Sequence, residues 1–243
     1  MKVCFLISVY NSVRFLHKLF YYIHQLNPKP DMTFFIENNS KDGTLEYIIR
    51  NYKLPYKIIR VFFRSDAVKI VGPYGTIAHI RQLGLTVARQ YNPDYAIFLD
   101  DDVYPISTDL ISILTSYRGN IFGGAYLRVY PEGVFLASKW MLPSGKMFKL
   151  KKEAFKPFDM PTITSGGCLC LSRKIIQDRR LDFYPLYNKL DASEDYGYCL
   201  KARELGYHVL LDNTAILRHD YIETTKDIKP WTRGKGGYLN FEY

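Results

Sequence analysis

Asp100, Asp101 and Asp102 are consecutive carboxylates at the end of the apolar run Ala96, Ile97, Phe98 and Leu99. Adjacent anions repel, and directly after a buried strand that repulsion is tolerable when positive charge sits among them. A hard divalent cation with oxygen ligands, Mg2+ or Mn2+, bridging to substrate phosphates would supply it. A solvated acidic turn is the plainer alternative.

Other polar residues stand at similar places. Val9, Tyr10 and Asn11 end one apolar run, and Glu37 with Asn38 ends another. His219 follows Thr214 to Leu217 and Arg218; imidazole is an acceptable Mn2+ ligand, although a lone histidine is more often a satisfied polar residue. Gly166 and Gly167 precede Cys168 to Leu171, where they let backbone approach closely, either for a ligand or in a β-bulge. Glu194 and Asp195 open a helical pattern, a place where carboxylates often only complement the helix dipole.

The elements that must position these groups alternate. Val3–Val9 reads as a buried strand, about 13–26 as a helix stopped by Pro28 and Pro30, and Thr33–Glu37 as a second strand. Helix Leu45–Asn51, strand Tyr56–Phe63, helix Ile77–Tyr91 and strand Tyr95–Leu99 continue the pattern. Alternation of this kind predicts an α/β parallel sheet whose ligands bind beyond the carboxyl ends of the strands, where Asn11, Glu37 and Asp100 all fall. After Val103 the pattern is mixed: a helix near Leu110–Tyr117, strands Ile121–Tyr130 and Val134–Trp140, then a helix over Tyr196–Leu205 with Gly206 just past its end.

The 243 residues, 47% hydrophobic and without an internal repeat or low-complexity tract, suit a single domain. The pattern divides it into a regularly alternating part (1–102), a mixed part (103–220) and a basic tail or lid (221–243). The net charge of +9 favours anionic partners, but no nucleic-acid-binding motif accompanies it, so a nucleic-acid partner is not expected. Basic clusters lie at Lys146, Lys149, Lys151 and Lys152 and at Lys229, Arg233 and Lys235. Cys4, Cys168, Cys170 and Cys199 lack zinc spacing and read as buried thiols. Neither a secretory signal nor an apolar run of roughly 20 residues is apparent, so the expected location is cytoplasmic, with peripheral membrane contact open to the basic face.

Six ordered segments resemble the GT-A glycosyltransferases of the family 2 type. They are the strand ending in Val9, Tyr10 and Asn11; the Glu37–Thr44 loop with Ser40, Asp42 and Gly43; and the helix with Ala78, Arg81 and Gly84. The three-Asp strand end, Ser165-Gly166-Gly167, and Glu194-Asp195 followed by Arg203, Gly206 and Tyr207 complete the set. The resemblance covers nearly the whole chain up to His219. It implies a GT-A-like (nucleotide-diphospho-sugar transferase) fold: a mostly parallel central sheet flanked by helices, with a smaller mixed sheet on the acceptor side.

By the same resemblance the chain is a metal-dependent hexosyltransferase, moving a sugar from a UDP- or GDP-sugar to a hydroxyl of a glycan, lipid or protein. Asp100 to Asp102 would be its DXD motif: Asp100 faces the ribose, Asp102 binds the metal, His219 completes the metal site with them, and Asp101 accompanies them. Val9, Tyr10, Asn11, Glu37 and Asn38 would line the nucleotide, Arg81 would meet the nucleotide or its phosphates, and Gly166 and Gly167 the sugar. Asp195, with Glu194 as the alternative, would be the base of an inverting transfer; a retaining mechanism would remove that role. The family usually carries two adjacent aspartates where this chain has Glu37 and Asn38, so uridine is favoured only by default. Two other readings compete: a nucleotidyltransferase making nucleotide sugars, disfavoured by the absence of a glycine-rich basic loop after Val9, and a non-enzymatic basic binding module with structural aspartates.

Overall fold

The computed structural model describes residues 1–62, 65–116, 121–130, 133–137, 140–141, 147–148, 167–183 and 194–220. Four strands, β1 (Val3–Val9), β2 (Met32–Asn38), β3 (Tyr56–Val61) and β4 (Tyr95–Asp100), alternate with three helices, α1 (Val13–Gln25), α2 (Thr44–Asn51) and α3 (Ser65–Tyr91). Then follow β5 (Val103–Pro105), α4 (Leu110–Thr115), β6 (Ile121–Tyr130), β7 (Gly133–Ala137), β8 (Trp140–Met141) and β9 (Met147–Phe148). The last elements are β10 (Cys168–Ser172), α5 (Arg173–Gln177), α6 (Glu194–Glu204) and β11 (Val209–Asp220).

A nine-stranded sheet runs in the order β3-β2-β1-β4-β10-β6-β11-β5, with β7 on β6. Strands β3, β2, β1 and β4 are mutually parallel, so their carboxyl ends share one edge; Ser8 stands opposite Asp100 and Val9 opposite Glu37. Antiparallel β10 joins β4 to β6 and brings Cys168 opposite Leu99. Strand β11 runs parallel to β6 and antiparallel to β5, placing His219 opposite Val103.

Burial follows the two-residue period of a strand. In β1, Val3, Phe5, Ile7 and Val9 pack under α1, α2 and α4, while Cys4 and Leu6 face the opposite core, which Leu85 and Ala88 of α3 and Tyr198, Cys199 and Ala202 of α6 help to build. Each fully buried large apolar side chain contributes on the order of 1.5–3 kcal/mol, enough to hold both helical layers to the sheet. All four cysteines are buried and free.

Several boundaries differ from the sequence reading. Helix α3 begins at Ser65 rather than Ile77; Gly72, Pro73 and Gly75, weak helix formers by propensity, hide its first turns in the sequence. The expected strand Val134–Trp140 is divided, β7 pairing with β6 and β8 with β9. Strand β11 is longer than Thr214–Leu217 because it extends along β6 through a register shift between Asp212 and Ile216. The short elements β5 and α5 have no counterpart in the sequence reading. Helix α6 starts at Glu194, so Glu194 and Asp195 lie in its first turn. It ends in a Schellman turn: Gly206 takes φ +84°, its N–H bonds Arg203 O, and Tyr207 N–H bonds Ala202 O. Among the described residues no helix is long and apolar enough to cross a membrane.

Candidate active site

Loops after β1 and β2 are stitched together at the sheet edge. Asn11 and Asn39 both occupy the left-handed region at φ 50°, which short amide side chains tolerate. The N–H of Asn11 donates to Ser40 Oγ (3.0 Å), and that of Lys41 donates to Asn11 Oδ1 (2.9 Å). One loop further in, the N–H of Ser12 donates to Thr44 Oγ1 (2.7 Å) and that of Val13 to Asp42 Oδ2 (3.0 Å). Asp42 also accepts the Thr44 N–H and hydroxyl, forming a turn before α2. Burial opposes the Asp42 charge, but these bonds outweigh it and hold the carboxyl below its ordinary pKa.

The three aspartates diverge at the end of β4. Asp101 turns inward and accepts a short bond from the Ser12 hydroxyl. Its burial, with the charges of Asp102 and Asp100, pushes the carboxyl up to about 7 despite that bond. Asp102 remains partly exposed and meets His219: Oδ2 and Nε2 are 3.3 Å apart. Asp100 turns the other way, accepting from Arg81 Nη2 at 2.9 Å, while its own N–H bonds Gly167 O at 3.1 Å.

Arg81 is the centre of a second cluster. From α3 its guanidinium reaches Glu194 Oε1 in a short hydrogen bond and lies 3.9 Å from Asp195 Oδ2, besides holding Asp100. Its side chain is only 6% exposed, and the Glu194 side chain 5%. Burial alone would disfavour the guanidinium charge; Asp100, Glu194 and Asp195 more than offset it, so Arg81 stays protonated. Burial likewise raises the Glu194 carboxyl, and Arg81 pulls it back. Asp100 to Asp102, Glu194 and Asp195 thus crowd one end of the sheet, with the buried Arg81 guanidinium among them.

The remaining expected residues fall into place unevenly. Tyr10 is exposed beside Asn11, whereas Val9 is buried and has only backbone to offer there. Glu37 is fully buried: Oε1 accepts the Ser40 N–H at 2.5 Å and Oε2 pairs with Arg60 Nε at 3.2 Å, while Asn38 is buried beside it. Gly167 closes on the β4 end through Asp100. Gly166, Ser165, the segment 191–193, the tail 221–243 and both lysine-rich clusters lie outside the described residues.

Three solved structures share this architecture. TarS from S. aureus (the 1-349 fragment with UDP-GlcNAc) aligns over 92% of this chain with TM-score 0.60 at 17% identity. GalNAc-T7 with UDP, GalNAc and Mn2+ aligns over 91% with TM-score 0.62 at 15% identity. The mannosyltransferase PcManGT from Pyrobaculum calidifontis, with GDP-Man and Mn2+, aligns over 90% with TM-score 0.56 at 15% identity. The fold is the GT-A fold. Neither a protein-family model nor a curated protein matches the sequence. The chain spans 60% of the TarS fragment, 44% of the GalNAc-T7 chain and 56% of PcManGT.

On this GT-A scaffold, sequence reading missed Ser12 as the partner of Asp101 and Arg60 as the partner of Glu37. The first carried a faint signal, a hydroxyl residue directly after a strand end; a parallel-strand register pairing Glu37 with Arg60 was the only clue to the second. For a metal, Asp102 and His219 would supply a hard oxygen and an imidazole, donor types that Mn2+ accepts. No group of three or more His, Cys, Asp or Glu side chains is arranged for a metal among the described residues.

Proposed function

We propose that the chain is a glycosyltransferase that moves a sugar, most simply a hexose, from a UDP- or GDP-sugar to a hydroxyl of a glycan, lipid or protein acceptor. The observation that carries this reading is the pairing of Asp102 with His219 at the edge of a five-carboxylate cluster into which Arg81 brings one buried positive charge. Such a surplus of negative charge favours a divalent cation, and the diphosphate of a donor is the natural ligand to share it. The solved structures of the same fold carry UDP, UDP-GlcNAc or GDP-Man, two of them with Mn2+, which supports the donor class.

In this reading residues 1–102 hold the nucleotide and 103–220 the acceptor. Asp102 and His219 would hold Mn2+ or Mg2+, which when bound offsets charge on the departing diphosphate. Asp100 lies on the nucleotide side. Asp195 would take the proton of the acceptor hydroxyl as its oxygen attacks the anomeric carbon, inverting the configuration. Glu194, bonded tightly to Arg81, is less suited to accept a proton.

Calorimetry of UDP and GDP with and without Mn2+ tests the donor site. The expected result is metal-dependent affinity that Asp102→Asn lowers; metal-independent binding unaltered by that change overturns the reading. Asp195→Asn should abolish transfer while leaving donor binding, and full activity in that variant removes Asp195 from the base's role.

A further inference from the structure

We propose that Arg81 is a positioning residue, holding the candidate base Asp195 and its neighbour Glu194 in register with Asp100 instead of binding the donor's diphosphate. The inference rests on the glycosyl-transfer reading above. Two nitrogens of one guanidinium are committed to different elements: Nη2 to Asp100 at the end of β4, and Nη1 to Glu194 in the first turn of α6, with Asp195 3.9 Å away. A planar fork spans two carboxylates with fixed angles, whereas a point charge does not. The side chain is 6% exposed, which leaves little of the fork for a phosphate oxygen.

The helix that carries Arg81 is itself held rigidly. Gly84, one turn on, packs so closely that a β-carbon there would meet Phe98 Cε1 at 2.9 Å and Ile36 Cδ1 at 3.0 Å. Gln82 donates to Asp182 and accepts the Phe183 N–H, and Arg89 donates to the carbonyls of Ile176, Asp178 and Leu181. Helix α3 therefore fixes α6 and the chain after α5 relative to the β4 end, and Arg81 is one of the contacts that join the nucleotide side to the acceptor side.

Within the trio the partners are unequal. Glu194 takes the direct hydrogen bond, while Asp195 lies beyond hydrogen-bond distance of the same nitrogen. Arg81 therefore acts on Asp195 electrostatically and on Glu194 through a direct hydrogen bond. Loss of the fork would let the base drift from the acceptor oxygen, and a displacement of about 1 Å can lower a rate on the order of a hundredfold.

The test compares wild type with Arg81→Gln and Arg81→Lys, the latter keeping the buried charge so that the fold survives. Calorimetry gives the affinity for UDP and GDP with Mn2+; steady-state kinetics use the UDP- or GDP-sugar that wild type turns over fastest; circular dichroism melting checks folding. Expected are diphosphate affinities within about threefold of wild type and a kcat lower by about a hundredfold in Arg81→Gln and about tenfold in Arg81→Lys, with KM for the donor little changed. A tenfold or greater loss of diphosphate affinity with kcat kept at saturation makes Arg81 a donor ligand and overturns the inference alone. Folded variants with unchanged kcat overturn it too. Wild-type protein that binds neither diphosphate with Mn2+ overturns the glycosyl-transfer reading, and the inference with it.

Discussion

Nε2 of His219, near the end of β11, lies 3.3 Å from Oδ2 of Asp102 in the turn after β4, and β5 explains how two such distant residues meet. Val103 pairs with His219 across the antiparallel β5–β11 ladder, so the backbone sets the imidazole beside the residue preceding Val103. A pair placed by sheet register is preorganised, which lowers the ordering needed when an ion binds. His219→Ala should weaken Mn2+-dependent UDP or GDP binding by about 10–100-fold, and Asp102→Asn by at least as much. Calorimetry across a Mn2+ titration reads both; unchanged metal dependence in His219→Ala would leave the histidine a purely structural neighbour of Asp102.

Two helical glycines predict opposite signs for the same substitution. A β-carbon at Gly84 meets Phe98, whose ring is packed edge-on against Phe183 with centroids 5.1 Å apart and cannot easily yield. Overpacking of that kind destabilises by about 1–3 kcal/mol, more than the gain in helix propensity of up to about 1 kcal/mol. At Gly197 in α6 a β-carbon would meet nothing within 4 Å. Gly84→Ala should therefore lower the urea midpoint and Gly197→Ala raise it, the latter through a stability gain of roughly 0.5–1 kcal/mol; equal effects in both would show that backbone propensity, not packing against the sheet, controls these helices.

How far the sequence could be read follows from the range of each interaction. Strands β1, β2 and β4 show as apolar runs because both of their faces are buried, and each ends in polar residues within the same short stretch. That local signal put Asn11, Glu37 and Asp100 at one edge. Strand β5 is too short to show a period, and β11 is interrupted by the polar Asp212 and Asn213, so only its Thr214–Leu217 part reads as a strand. Arg81 could be singled out by type, but its partners Glu194 and Asp195 come from a helix far along the chain, and no local pattern encodes that pairing. For the same reason Glu37 read as a nucleotide contact, while Arg60 and the Ser40 N–H engage its carboxylate in the folded chain.

Asp42 joins two loops and should matter more for stability than its exposed position suggests. It accepts from Val13 N–H, Thr44 N–H and the Thr44 hydroxyl, so Asp42→Ala leaves three donors to find water, at a cost of about 1–2 kcal/mol. Asp42→Asn keeps one acceptor and should lose less. Because the folded-state pKa is lowered, the unfolded chain binds the proton first; the stabilisation is present above the ordinary aspartate range and is lost as pH falls through the lowered value. Urea unfolding at neutral pH and in acid should show the gap between wild type and Asp42→Ala narrowing on acidification. A gap that stays constant would mean the charge of Asp42 adds nothing to its bonds.

The four cysteines report on the integrity of the sheet beneath the site. Cys168 and Cys170 lie on β10, Cys4 on β1 and Cys199 on α6, all inaccessible to solvent. Burial pushes the Cys4 and Cys168 thiols up to about 12 and raises the Cys170 thiol well above its ordinary value. Only ~1 in 10,000 such thiols would be ionised at pH 8, and the thiolate is the reactive form. In native protein a thiol reagent such as Ellman's should therefore label none of the cysteines at mixing, and all 4 after denaturation in guanidinium. Slow native-state labelling then measures opening of the core, and its rate should rise in Gly84→Ala, which pushes α3 against the same layer. Immediate labelling of Cys168 in wild type would show that the β4–β10 junction, on which Asp100 and Gly167 depend, opens without global unfolding.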